Sequence, residues 1–289
     1  MQGAQQTLAV ILSTMCTIAI LLEVVAGAPL VVAANRDELY ARPTRPPESL
    51  GEHIAGGVDV LSGGTWLAIR RDGQFAAVTN QRAMAPVPPG LRSRGLAVRE
   101  LAAAEDQDAY VAELDPARYA SMNLVWGSAR GVAIGYARRD ESPDGGPAAG
   151  PAGRAEGRAE GRAEGRASGR VEIERLPPGI HVLCNDRLGA AGFPRGVRLY
   201  QAISAAPRAW PAIVPAIAAA LADHTRVEPA PSHLPPEIAR ELTATCIHAP
   251  GYGTRSSTII AAEAGRTLAY LHADGPPCTA PFIDRMELL

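Results

Sequence analysis

Two runs dense in β-branched and aliphatic residues, CTIAILLEVV from Cys16 and LVVAAN ending at Asn35, flank the turn-forming stretch Ala26-Gly27-Ala28-Pro29. Side chains of this kind suit a pleated, buried surface, so the segment reads as a β-hairpin in a protein core. The same grammar recurs downstream. Gly63-Gly64 leads into TWLAIR, Arg71-Asp72-Gly73 turns the chain, and QFAAVTN follows as the second arm of another hairpin. MNLVWG with GVAIGYA, VEIERL with HVLCN, and STIIAAE with TLAYLHAD continue the strand pairs. Between them, Leu91 to Leu114 places apolar residues at three- and four-residue intervals, and VRLYQAI, PAIVPAIAAALADH and PEIARELT also read as helix. Pairs of strands separated by pairs of helices describe two mostly antiparallel sheets with helices outside, not the regular βαβ alternation of a parallel sheet. The expected class is α+β, as a four-layer sandwich.

Composition changes at Arg138. From there to Arg170 the chain carries the tandem repeat GRAEGRAEGRAEGRASGR, in which Gly at every fourth position opposes helix and almost nothing is apolar. The stretch 138–170 is expected to be a disordered low-complexity insertion in a single domain spanning 15–289. Before Arg36 the chain is apolar with Glu23 its one charge, which raises the question of a leader or anchor. No basic residue precedes the apolar run, and Glu23 with Gly27-Ala28-Pro29 interrupts a span that would need about 20 apolar residues. Neither export nor stable membrane insertion is expected, and a cytoplasmic protein is.

The totals of 28 basic and 30 acidic residues leave a formal charge of −2, so no global field favours nucleic acid. Every basic residue is Arg or His; without lysine the chain cannot use a P-loop lysine, a Schiff-base lysine or a Ser-Lys dyad. Cys16, Cys184, Cys246 and Cys278 lie far apart with no C-x-x-C pair and no His at zinc-ligand spacing. They read as reduced thiols, with Cys184 and Cys246 packed in the interior and no metal site indicated. The six histidines, His53, His181, His224, His233, His248 and His272, show no paired spacing and no haem-attachment motif.

No G-x-S-x-G elbow, H-E-x-x-H helix, Walker loop or dinucleotide fingerprint occurs. Polar residues instead gather at strand ends, where scaffolds present functional side chains: Cys16, Asn35-Arg36-Asp37-Glu38, Asn80, Asn185 and Arg255. These types meet the needs of amide cleavage, which requires a nucleophile, a base, an orienting acid and donors for the developing oxyanion. If Met15 is the true start and is removed, Cys16 carries a free α-amine with a reference pKa of about 7.7–8.0, suited to a general base. Asp37 would hold that amine, Arg36 or Arg255 would favour the thiolate, and Asn80 and Asn185 would donate to the oxyanion. Gly64-Thr65-Trp66 reads as a tight turn with a packing aromatic.

The ordered series MCTIAI, ANRDELYARP, GGTWLAI, AAVTNQR, NLVWG, HVLCND and APGYGTRSSTIIA resembles the NRDE family, also called the transport and Golgi organisation family. That family is similar to the penicillin-acylase and bile-salt-hydrolase branch of the Ntn hydrolases. The resemblance implies an αββα sandwich with Cys16 as nucleophile, Arg36 and Asp37 as activating pair, Asn80 and Asn185 at the oxyanion, and Arg255 as a further charge. It implies a small-molecule substrate with no cofactor, or alternatively haem as a bound or trafficked ligand. The family begins Met-Cys, so residues 1–14 are expected to be a non-native or removed extension, or Cys16 is freed by internal self-cleavage.

Overall fold

The computed structural model of the chain describes residues 16–81, 87–140, 168–232 and 234–289. The N-terminal extension, Met15, most of the GRAE insertion and His233 lie outside the described residues.

Two seven-stranded sheets stack face to face, and every strand pairing within them is antiparallel. In the first sheet β1 (Thr17–Leu22), β2 (Leu30–Leu39), β10 (Gly179–Leu183), β12 (Tyr252–Glu263), β13 (Arg266–Ala273) and β14 (Ile283–Asp284) run in the order β10-β1-β2-β12-β13-β14, with β11 (His248–Ala249) pairing to β12. The second runs in chain order through β3 (Thr44–Gly51), β4 (Ile54–Asp59), β5 (Leu67–Arg70), β6 (Phe75–Asn80), β7 (Met122–Ser128), β8 (Gly131–Arg139) and β9 (Gly169–Arg175).

The strand period of two explains the layering. On β1, Ile18, Ile20 and Leu22 face the second sheet, where they meet Ile69, Phe75, Ala77, Val125 and Ile134. The intervening Ala19 and Leu21 face outward onto α3 (Pro194–Ser204) and α4 (Val214–Leu221) through Leu199, Ile203, Ile217 and Leu221. On β6, Ala76 and Val78 likewise pack against Val98 and Leu101 of α1 (Arg94–Ala103) and Val111 of α2 (Gln107–Ala112). Both faces of each sheet are buried, giving helix, sheet, sheet, helix: the αββα sandwich that the sequence pattern and the family resemblance anticipate.

Four strands were not anticipated: β3, β4 and the two-residue β11 and β14. β3 carries Pro46 and Pro47 and β4 carries Gly56-Gly57, compositions that disfavour a strand reading, yet β3 is an edge strand, where missing N–H donors are tolerated. The insertion is also narrower than composition implied. Arg138 and Arg139 belong to β8, Gly169 and Arg170 belong to β9, and Arg139 pairs with Gly169, so the repeat joins two neighbouring strands. Among the described residues no helix is long and apolar enough to cross a membrane.

One core group makes stability depend on pH. His272 on β13 is 1% exposed; the Thr258 hydroxyl lies 3.0 Å from its Nδ1, and its Nε2 has no hydrogen-bond partner among the described residues. Burial, reinforced by nearby Arg285, pushes the imidazole down to about 4 from 6.5. Below pH 6.5 the unfolded chain takes a proton that the folded chain refuses, so stability falls from there to about pH 4 and then levels. At 1.36 kcal/mol per unit this is roughly 3 kcal/mol. Urea midpoints of the wild type and His272→Gln across this window are expected to converge as pH falls; a constant gap would show that the imidazole is not the titrating group.

Candidate functional site

Antiparallel pairing brings the N-terminal end of β1 beside the C-terminal ends of β2 and β10. Thr17 pairs with Asn35 and Ile18 with Leu183, while Thr254 at the start of β12 pairs with Asp37. Four adjacent strands of one sheet thus deliver Cys16, Asp37, Asn185 and Thr254 to a single edge. β6 of the other sheet ends there with Asn80, whose backbone carbonyl accepts from Asn185 Nδ2 at 2.9 Å. Thr79 Oγ1 donates to Cys184 O at 2.8 Å, tying the sheets together at the same place.

Cys16 is half-buried, and the Asp37 backbone N–H donates to its sulphur. Burial, then the negative charge of Asp37, pushes the thiol up to about 11, against the opposing influence of that N–H and of Arg36. In this peptide-bonded setting the sulphur is a neutral thiol at physiological pH.

Asp37 is 3% exposed, and Thr254 Oγ1 donates to its Oδ1 at 2.6 Å. Its Oδ2 accepts no hydrogen bond among the described residues and lies 4.0 Å from Arg195 Nη1. Burial pushes the carboxyl up to about 6 despite Arg195, the Thr254 hydroxyl and Arg36. A buried carboxylate oxygen with capacity to spare, next to the Cys16 sulphur, is a seat for a positively charged or donating group.

Arg195, on the first turn of α3, is the residue that the strand-end reading missed. It is 1% exposed, donates through Nη2 to Asn185 Oδ1 at 2.8 Å, and spans from Asn185 to Asp37. Because an arginine can only donate, the atom it meets must be the amide oxygen of Asn185, which directs Nδ2 toward Asn80. The one local signal was Phe193-Pro194-Arg195: proline at a helix start places the next residue on the first turn, without saying which strand end it meets. Arg94, at the start of α1, was missed as well. Burial pushes its guanidinium down to about 10, opposed by its neighbours Cys16 and Glu38.

Arg36 is buried, lies 4.2 Å over the ring centroid of Trp66 and is 3.8 Å from Glu38. Trp66 is therefore more than core packing. Its ring fits only because residue 57 is glycine, since a Cβ there would lie 2.1 Å from Trp66 Cη2. Asn35, the first residue of the NRDE tetrad, is buried and ties Leu221 O and Thr245 O at 2.9 Å each while accepting from Ser257 Oγ, a structural role. Arg255 is not drawn into the cluster. It sits where the β12 register shifts, between Thr254 and Ser256, and donates to Tyr40 O and Thr44 Oγ1. Arg255 was expected as a further charge in the site; the arginine that the structure places beside Asp37 is Arg195. Tyr252 is fully buried nearby, its phenol pushed well above its ordinary value by burial and by Asp37. Two open surface clefts, one lined by Gln74, Asp108 and Arg175 and the other by His53, Arg71 and Gly265, share no residue with this cluster.

Human and bovine proteins called Transport and Golgi organization protein 2 homolog are 45% identical to the chain over 56 residues, covering 18% of this chain and 20% of theirs. The mouse homologue is 43% identical over the same length. These alignments span about a fifth of the curated relatives. A solved Caenorhabditis elegans N-acylethanolamine-hydrolyzing acid amidase ortholog superposes with a TM-score of 0.46 at 10% identity, covering 85% of this chain and 92% of that one. The profile of the family described as Transport and Golgi organisation 2 matches residues 15–273, most of the chain, and the protein belongs to that family.

Proposed function

We propose that the chain is an N-terminal-cysteine hydrolase of a small-molecule amide (C–N) bond. The observation that carries this reading is the buried carboxylate of Asp37, its Oδ2 accepting no hydrogen bond among the described residues, beside the half-buried sulphur of Cys16 at the start of a central strand.

With Cys16 at the chain terminus, its α-amine takes the thiol proton and the sulphur attacks the amide carbon. The carbonyl oxygen becomes an oxyanion, for which Asn185 is the principal donor. One Nδ2 hydrogen is held by Asn80 O and the other remains to give, with Asn80 alongside. Collapse expels the amine, which takes its proton from the α-ammonium and leaves a thioester on Cys16. Water, deprotonated by the same amine, releases the carboxylic acid and restores the thiol. Asp37 holds and orients the amine, Arg195 keeps both Asp37 and Asn185 in place, and Arg36 on Trp66 adds positive charge near the sulphur.

The test is turnover of a panel of small amides by protein begun at Met15, with the methionine removed, against the same protein carrying Cys16→Ala. Hydrolysis by the first and none by the second is expected. Equal turnover by both, or none by either, would return the chain to a container for a ligand such as haem. Asn185→Ala is expected to reduce kcat by about 10²–10³, the usual cost of one oxyanion donor. A change under twofold, with the urea midpoint unmoved, would remove Asn185 from that role.

A further inference from the structure

Four side chains that sequence spacing did not connect converge on the far side of the Asn35 anchor. His224 follows α4, Cys246 and His248 flank Ile247 at the start of β11, and Cys278 lies in the loop after β13. Their ligand atoms all fall within 4.8 Å of one another. Cys246 Sγ is 3.7 Å from His248 Nε2 and 3.7 Å from Cys278 Sγ, and His248 Nε2 is 3.3 Å from Cys278 Sγ. A tetrahedral zinc with Zn–S of about 2.3 Å and Zn–N of about 2.0–2.1 Å has ligand-to-ligand edges of about 3.3–3.8 Å, so the three separations among Cys246, His248 and Cys278 are those of a ligand shell, with His224 close enough to complete it. A disulfide would instead need about 2.05 Å between the sulphurs.

The surroundings also suit a metal. His224 Nδ1 lies 3.1 Å from Cys246 O, a contact in which the ring donates to a carbonyl and leaves Nε2 as the ligand atom. The Cys246 and Thr245 amides both donate to Asp223 O, at 2.9 and 3.1 Å, locking the segment carrying Cys246 to the segment carrying His224. The His248 amide donates to Glu241 Oε1 at 2.7 Å, and Glu241 pairs with Arg226. Two sulphur and two imidazole ligands form the donor set of structural zinc sites.

We infer that His224, Cys246, His248 and Cys278 form a structural Cys2His2 site for zinc. The ion ties three segments distant in sequence: the end of α4, the β11 turn and the C-terminal loop. Thr245 O, one residue from the Cys246 ligand, is one of the two carbonyls that Asn35 grips, so the clip braces the end of β2 from behind. This inference does not depend on the hydrolase reading, because its readout is metal binding and not turnover.

The experiment is titration of the reduced, metal-stripped full chain with cobalt, followed by displacement with zinc. Expected are saturation at a single equivalent, tetrahedral d–d bands with thiolate charge-transfer absorption, their loss on adding zinc, and a melting temperature that rises with zinc concentration. Cys278→Ser and His224→Ala alter exposed positions and should fold, as circular dichroism will verify. Each should weaken cobalt binding by more than the 10–100-fold typical of losing an outer-sphere partner. Absence of saturable binding by the reduced protein, binding undiminished in both variants, or a Cys246–Cys278 disulfide that reforms in preference to metal uptake would each overturn the site.

Discussion

Replacing Arg195 by leucine is expected to destabilise the fold by about 3–5 kcal/mol, the cost of stranding one partner of a buried ion pair. The guanidinium is 1% exposed and Asp37 is fully enclosed, so neither charge has water to fall back on. Without Arg195, Asp37 loses its strongest opposing charge and Asn185 Oδ1 loses its donor. The pH dependence gives the loss a signature. Asp37 already titrates near 6 in the folded chain against an ordinary 3.8, so it favours folding below 3.8 and that contribution disappears as pH rises through about 6. In Arg195→Leu the folded value moves higher still, and the deficit measured by urea midpoints should be smaller at pH 5 than at pH 7. The double variant Arg195→Leu/Asp37→Asn should recover much of the loss, because it leaves no unpaired charge. A deficit under about 1 kcal/mol, the size of an exposed pair, would mean that the cluster is better hydrated than its burial indicates.

The layers of the fold were legible because hairpin grammar is local. β1, β2, β5 and β6 each alternate two buried faces over four to ten residues, and their turns sit on glycine. β3 and β4 were not legible, since Pro46, Pro47 and Gly56-Gly57 argue against a strand to any local reading. Their place is fixed by the neighbour in the sheet, Gly56 lying so close to Leu67 O that a Cβ would come within 2.6 Å.

The candidate site divides along the same line. Cys16, Asp37, Asn80 and Asn185 could be found because strands present functional groups at their ends, and the sandwich gathers those ends. Arg195 arrives from a helix packed outside the sheet, so nothing in its immediate sequence says which strand end it will meet. Arg255 fails in the opposite way. It follows Thr254, which does face Asp37, but a register shift turns the next side chain toward Tyr40. The Cys–His cluster was out of reach for a related reason: separations of 22, 2 and 30 residues match no compact zinc motif.

Freeing the α-amine of Cys16 is expected to raise kcat/KM by about 10²–10⁴, the range of a well-placed general base. With Cys16 inside a peptide bond burial pushes its thiol up to about 11, so at pH 7 only about one molecule in 10⁴ holds a thiolate, and the neighbouring Asp37 charge opposes its ionisation further. A terminal amine changes both conditions. As a base it accepts the thiol proton, and as an ammonium beside Asp37 it supplies the positive charge that burial denies the sulphur. Asp37 responds in turn, since an adjacent ammonium draws the carboxyl below its value of about 6 and keeps it ionised at neutral pH. The two forms therefore differ in shape as well as height. Alkylation of Cys16, followed by peptide mass so that the other three thiols do not interfere, should accelerate with pH from near neutrality when the amine is free. With Met15 still attached it should accelerate only well above pH 9. Coincident profiles for the two proteins would separate the amine from the sulphur and end the case for a self-activating cysteine.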